Sequence, residues 1–148
     1  MRLTLRALSA LLRYPSAELQ AHVGEVREAL AAERILPRRI LRDLDPLLDR
    51  LARDDLLDVQ SQYSDLFDRS RALALHLFEH VHGESRERGQ ALIDLGEQYM
   101  EAGVFLDSPE LPDYAPIFIE YASCLPPAEA RETLARLEAL RARAPAEA

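Results

Sequence analysis

Apolar residues recur at intervals of three and four along nearly the whole chain of 148 residues. This spacing places them on one face of an α-helix, as Leu19, Val23, Val26 and Leu30 illustrate. Alternating apolar and polar runs rich in Val, Ile and Thr, the pattern of strands, are missing. The pattern therefore predicts an all-α fold, a compact single-domain bundle of seven to nine helices spanning residues 1–148. Within it, the alanine-rich tail 144–148 is expected to fray.

Polar side chains and glycines mark the predicted helix ends. The expected N-caps are Thr4, Ser16, Asp54 or Asp55, Ser70, Ser85 and Asp113. Two helices are expected to end at glycines, one at Gly83 and the next at Gly103. The first of these would begin at Ser70 and carry its apolar residues on one face.

Three prolines, at two places in the chain, bear on the helix boundaries. Pro46 lies inside an apolar stripe that runs from Ile40 to Leu51. Two alternatives stay open there: two short helices, or one helix with a kink. The pair Pro126-Pro127 is expected to end the seventh helix and begin the eighth.

Composition narrows the possible functions. The formal net charge is −8, which argues against nucleic acid as a partner because such binding requires concentrated positive charge. Cys124 is the single cysteine, so no internal disulfide and no cysteine-built metal site are expected. The N-terminal stretch lacks the apolar core of a signal peptide, and no run of about 18 apolar residues predicts a membrane span. We therefore expect a cytoplasmic protein.

One short motif suggests an enzyme. His76, Glu79 and His80 match the H-x-x-E-H pattern of inverted zinc peptidases. On an α-helix the two histidines would share a face and could bind zinc, with Glu79 as the base. A third ligand has no distinguished candidate, and both histidines adjoin an apolar helix face. A zinc hydrolase is therefore an alternative, and our main expectation is no metal, no cofactor and no catalysis.

The polar stretch from His82 to Gly89 is less easily explained by the fold. Arg86 and Arg88 fall in the first turn of a predicted helix, where positive charge opposes the helix dipole. Gly89 inside that helix suggests a close approach of another backbone. Two interpretations stay open for the arginines. They bind an anionic or carbonyl-rich ligand, or they form internal salt bridges with Asp65, Asp68 or Asp113.

A second polar stretch runs from Leu111 to Pro116 and leads to Glu120. Capping of a helix would account for Asp113, but it leaves Tyr114 and Glu120 unexplained. Tyr63, Leu66 and Phe67, earlier in the chain, form an apolar helical stripe of the kind that usually belongs to a core.

Several of these pieces occur together in one order. The ordered motifs are Leu11-Leu12-Arg13-Tyr14-Pro15, Tyr63-x-x-Leu66-Phe67-Asp68, Leu77-Phe78-Glu79-His80-Val81-His82-Gly83-Glu84-Ser85-Arg86-x-Arg88-Gly89, Tyr99-x-x-Ala102-Gly103-x-x-Leu106 and Glu110-Leu111-Pro112-Asp113-Tyr114-x-Pro116. In this order and spacing they resemble the NarJ family of nitrate reductase assembly chaperones, within the wider TorD/DmsD-like class. The match covers roughly residues 8–125.

The resemblance implies an all-helical, non-catalytic cytoplasmic protein. Its partner would be the N-terminal segment of a molybdoenzyme catalytic subunit, most simply that of respiratory nitrate reductase, held while the cofactors are inserted. Another molybdoenzyme of the same class is the alternative client. A monomer or a helix-swapped dimer is expected.

The resemblance also implies site residues and gives His80 a place in a helix instead of a metal site. The expected peptide-binding residues are Tyr63, Leu66 and Phe67 beside a groove, Asp68 next to them in the chain, and a polar rim of His82, Gly83, Arg86, Arg88, Asp113, Tyr114 and Glu120.

Overall fold

The structure is a computed structural model that describes residues 1–69, 73–80, 86–106 and 110–142. Within these ranges every regular element is helical, which confirms the predicted all-α class. The elements are α1 (Arg2–Leu12), α2 (Ala17–Ala21), α3 (Val23–Ala32), α4 (Arg38–Arg53), α5 (Leu56–Phe67), a 3₁₀ turn (Leu77–His80), α6 (Arg86–Glu101), α7 (Ala115–Ser123) and α8 (Pro127–Arg141). The predicted caps Ser70 and Ser85, the helix end at Gly83 and the tail 144–148 lie outside the described residues.

Two predicted caps in the first part of the chain have different outcomes. Ser16 caps α2 as predicted, since its hydroxyl accepts a hydrogen bond from the Leu19 amide at 3.1 Å. The helix is interrupted at His22, so the expected single helix is two, α2 and α3. Thr4 is not a cap. It is buried inside α1, where its amide and its hydroxyl both donate to Glu33 at 2.8 Å.

Pro46 does not divide α4, which runs unbroken from Arg38 to Arg53. A proline there removes one main-chain hydrogen bond, so other contacts must support the helix. Arg27 of α3 provides them, because its guanidinium binds Asp45 at 2.6 Å and also binds Asp49. These two carboxylates flank the proline, so the ion pairs tie both sides of it to α3.

The stretch around His76 is not the α-helix that the sequence predicted. Leu77–His80 forms a single 3₁₀ turn, and His76 before it makes an antiparallel bridge with Tyr114. The Leu77 amide donates to the Asp113 carbonyl at 3.0 Å, and the Ala115 amide donates to the Leu75 carbonyl at 2.7 Å. Pairing with a segment nearly forty residues away therefore replaces local helix formation here.

The most buried helix is α7, in which Glu120 alone is exposed. Apart from Glu120 and Ser123 its residues are apolar or aromatic, which is typical of a helix enclosed by others. It packs between α1 and α8. The Ser9 hydroxyl of α1 donates to the Pro116 carbonyl at 2.7 Å, a buried bond between residues 107 positions apart.

Three apolar clusters surround this arrangement. One joins α7 to α6 and the 3₁₀ turn around Tyr99 and Phe118. A second joins α1 to α3 and α4 around Leu30. The third lies where α1, α7 and α8 meet, around Ile119 and Ala130. Helices α1 and α7 each contribute residues to two of these clusters. The contact between the two helices therefore links all three clusters. In the described part of the chain, no helix is long and apolar enough to cross a membrane.

Candidate functional site

A cleft of about 380 Å³ opens where the end of α1, the C-terminal half of α5 and the segments around His76 and Tyr114 meet. Its lining combines aromatic rings with carboxylates. The lining residues are Tyr14, Tyr63, Phe67, Asp68, Ala74, Leu75, His76, Glu110 and Tyr114. The cleft thus draws on parts of the chain separated by up to a hundred residues.

A pair of tyrosine hydroxyls lies at the base of the cleft. The Tyr63 hydroxyl donates to the Leu12 carbonyl at the end of α1, at 2.6 Å, and lies 3.0 Å from the Tyr114 hydroxyl. Because Tyr63 has a single hydroxyl hydrogen, Tyr114 supplies the hydrogen of the second bond. Burial raises the pKa of both phenols, so both are neutral at pH 7. These bonds hold α1, α5 and the start of α7 together.

The aromatic rings pack in a connected series. Tyr14 meets Tyr63 edge to face, with centroids 5.5 Å apart. Tyr63 packs against Phe67 at 4.7 Å, and His76 stacks on Tyr114 at 5.3 Å. Such distances are those of favourable aromatic pairs. The rings therefore form a wall whose geometry is set by their mutual contacts.

Charge is distributed unevenly around this wall. Asp68 is exposed just after the C-terminal end of α5, and the Glu110 carboxylate accepts a hydrogen bond from His76 Nε2 at 3.2 Å. Arg13 and Glu120 form an ion pair at 2.8 Å. None of the nine described residues that line the cleft is an arginine. The recess is therefore aromatic and acidic.

Asp113 is a buried residue that helps to position the segments on one side of the cleft. Its side chain is fully buried, and its Oδ2 accepts a hydrogen bond from the Phe78 amide at 3.0 Å. The predicted role as helix cap is wrong: Tyr114 is the N-cap of α7, and no side chain makes a capping bond there. The carboxylate instead binds the 3₁₀ turn to the start of α7, which places His76 beside Tyr114.

Four of the predicted peptide-binding residues meet in this cleft: Tyr63, Phe67, Asp68 and Tyr114. Glu120 lies outside its lining and binds Arg13. Leu66 is 51% exposed on another side of α5. His82 and Gly83 lie outside the described residues.

Arg86 and Arg88 begin α6, away from the cleft lining, and Arg86 is exposed. Two of the aspartates proposed as their salt-bridge partners make other contacts. Asp65 pairs with Arg69 at 3.3 Å, and Asp113 binds the Phe78 amide. The suggested close backbone approach at Gly89 is wrong, since a Cβ built there meets nothing within 4 Å among the described atoms.

Sequence reasoning did not assign Tyr14, His76 and Glu110 to this site. Tyr14 stands in the Leu-Arg-Tyr-Pro motif near the start, which is the signal in the sequence that points to it. The sequence pattern suggests His76 only as a zinc ligand. The pairing of His76 with Glu110 depends on the bridge to Tyr114, and that is a long-range contact.

The geometry removes the basis of the zinc alternative. His76 precedes the 3₁₀ turn, so it does not share an α-helical face with His80. The side chains of Glu79 and His80 lie outside the described part. Among the side chains that are described, no group of three or more His, Cys, Asp or Glu could hold a metal ion.

A second, more apolar hollow lies on the far face of α6. Its lining includes Ile93, Met100 and Phe105, which are 57%, 61% and 73% exposed. Gly96 of α6 and Pro112 also line it, and a Cβ built on Gly96 would lie 3.8 Å from the Pro112 ring. This hollow offers a large apolar contact area without the carboxylate-rich character of the cleft.

A sequence profile of the nitrate reductase delta subunit family matches residues 16–146. The chain belongs to this family, which confirms the resemblance drawn from the ordered motifs.

The chain is similar in sequence to several nitrate reductase assembly chaperones. The chain is 52% identical over 127 residues to the nitrate reductase molybdenum cofactor assembly chaperone NarJ of Escherichia coli strain K12, a match covering 86% of this chain and 54% of that protein. It is 44% identical over 130 residues to the probable chaperone NarW of the same strain, covering 88% and 53%. The probable NarJ of Bacillus subtilis strain 168 is 30% identical over 122 residues, covering 82% and 65%. The chain thus spans about half the length of the first two relatives.

Proposed function

We propose that this protein is an assembly chaperone that binds the N-terminal segment of a molybdoenzyme catalytic subunit, that of nitrate reductase. Its role is binding, without catalysis, while molybdenum cofactor is inserted into the partner. Membership of the nitrate reductase delta subunit family and the similarity to assembly chaperones of nitrate reductase carry the proposal. The proposal includes a cytoplasmic location, as the motif resemblance implies.

The cleft has the properties that such a role needs. Its volume of about 380 Å³ is at the small end of ligand pockets, so it suits side chains of an anchored peptide better than a whole cofactor. Rigid aromatic walls lose little conformational entropy on binding. The net charge of −8 favours encounter with a basic segment.

We assign the predicted residues different parts in this binding. Tyr63, Phe67 and Tyr114 form the wall, and Asp68 is at its edge. Asp113 acts from beneath as a brace. The remaining expected contacts stay predictions of the same proposal: Leu66, His82, Gly83, Arg86, Arg88 and Glu120.

Calorimetry with a synthetic peptide tests the proposal. The peptide comprises the first ~30 residues of the nitrate reductase catalytic subunit from the same organism, long enough for at least one helix across the cleft. Phe67→Ala should weaken binding by about tenfold or more, since truncating a central aromatic anchor costs about 2 kcal/mol or more. Arg86→Ala tests whether the loop at the start of α6 contributes.

Phe105→Ala is the matched control, because it removes the same side chain from the apolar hollow on α6. We expect it to leave the affinity unchanged. Loss of binding in Phe105→Ala but not in Phe67→Ala would indicate that the peptide binds at the hollow instead of the cleft. Absence of any binding by the wild-type protein would refute nitrate reductase as the client, and the same measurement with the segment of a second molybdoenzyme would then test the alternative client.

A further inference from the structure

The rings and the carboxylates of the cleft are arranged around the same space. Tyr14, Tyr63 and Phe67 present aromatic surface, and Asp68 and Glu110 lie on its border. A ring face attracts a cation through its quadrupole, and a carboxylate beside it adds a direct ion pair. Together these are the elements of a receptor for a cationic group.

The position of Asp68 supports a binding role. It is the C-cap residue directly after α5, where a negative charge opposes the helix dipole, so helix stability does not account for it. Within the described part of the chain its carboxylate forms no ion pair. Its neighbour Asp65, by contrast, pairs with Arg69.

The surrounding groups leave this acidic character intact. Arg13 acts electrostatically on the Tyr114 hydroxyl, but Glu120 holds its guanidinium at 2.8 Å. The phenols of Tyr63 and Tyr114 are neutral because burial raises their pKa values, so their rings are available as neutral aromatic surface. A guanidinium group suits such a site better than a compact ammonium, because it can stack on a ring and bind a carboxylate with its edge.

We propose that the cleft is the receptor for one arginine side chain of the bound segment, stacked against Tyr14, Tyr63 and Phe67 and paired with Asp68. This inference rests on the proposed function and adds to it the chemical group that the cleft reads. The apolar side chains of the segment would then lie outside this recess.

The test is a double-mutant cycle between protein and peptide. Each arginine of the ~30-residue peptide, a length set by helix rise, is replaced in turn by citrulline, which keeps the shape and removes the charge. We expect one position at which citrulline weakens binding by about tenfold, the size of a partly desolvated cation–π contact with an ion pair. With Asp68→Asn, the same replacement should make little further difference.

Asp65→Asn is the matched control, since it removes one negative charge from the same helix but does not line the cleft. Citrulline should weaken binding to this variant as much as to the wild type. Asp68→Asn should also leave the thermal midpoint unchanged or slightly raised, because it removes an unfavourable charge at a helix end. A loss of affinity is then separable from unfolding.

The outcomes separate the two proposals. If the native peptide binds and no arginine couples to Asp68 more strongly than to Asp65, the arginine receptor is refuted and the chaperone proposal stands. If the native peptide does not bind, the chaperone proposal for that client fails. In that case N-acetylarginine amide decides the receptor. At millimolar concentration it should shift the NMR signals of the Phe67 ring, and the citrulline analogue should not. Equal shifts with both compounds, or none, overturn the inference.

Discussion

Asp113 provides the sharpest test of how the cleft is built. Its carboxylate is fully buried, and Oδ2 accepts the Phe78 amide hydrogen at 3.0 Å. Asp113→Ala removes that acceptor but leaves the main-chain bond from Leu77 to the Asp113 carbonyl. Asp113→Asn keeps an oxygen that can accept the same hydrogen. The two variants therefore separate loss of the acceptor from loss of the charge.

The magnitude follows from the single side-chain bond that is lost. A hydrogen bond to a charged group contributes about 1.5–3 kcal/mol, and we expect Asp113→Ala to lower the free energy of unfolding by about 2 kcal/mol. Asp113→Asn should lose less than half of that, because the amide oxygen replaces the carboxylate oxygen at the Phe78 amide.

Urea unfolding followed by circular dichroism measures this difference. With a typical urea dependence of about 2 kcal/mol per molar, Asp113→Ala should move the midpoint down by roughly 1 M. An unchanged midpoint for this variant would refute the bracing role. An equal loss in Asp113→Asn would show that the charge matters instead of the acceptor. The affinity of each variant for the partner peptide should decrease in the same order as its stability. The reason is that the Asp113 side chain is fully buried and cannot contact the peptide itself.

Two further predictions concern glycines and pH. Gly103 has a left-handed φ of +81°, so Gly103→Ala should destabilise the protein by about 1–2 kcal/mol. Gly89 lies in open space within α6, so Gly89→Ala should stabilise the protein by up to about 1 kcal/mol. Thermal unfolding of both variants measures these opposite signs, and equal signs would contradict the reasoning. The Met1 ammonium and the Thr4 amide lower the pKa of Glu33 from 4.5 to about 2. Its stabilising effect is therefore present above pH 4.5 and is lost as the pH falls toward 2, so Glu33→Gln should flatten the dependence of the urea midpoint on pH across that interval.

The helices and several of their ends could be predicted because local forces determine them. Ser16 caps α2 with its own hydroxyl, and Pro126-Pro127 separates α7 from α8. The turn after α6 contains Gly103 in a conformation that glycine adopts without strain. Each of these signals acts within a few residues, so it can be read from the chain alone.

Other features could not be read because distant contacts override local preference. The spacing around Leu77 predicts an α-helix, yet hydrogen bonds to Asp113 and Ala115 make a bridge and a 3₁₀ turn. The sequence left two alternatives at Pro46; the helix is unbroken there, and Arg27 of α3 binds carboxylates on both sides of the proline. Thr4 was expected to cap a helix, but it binds Glu33 from within one.

By itself the sequence determined the helical class, most helix positions and the family, because periodicity and ordered motifs are properties of the chain. It also supplied Tyr63, Phe67, Asp68 and Tyr114 as candidates for one site. Only the tertiary structure decided that these four share a cleft with Tyr14, His76 and Glu110. It also decided that Asp113 lies beneath that cleft as a brace. The reason is physical: which side chains meet depends on how α1, α5 and α7 pack, and such packing joins residues up to a hundred positions apart.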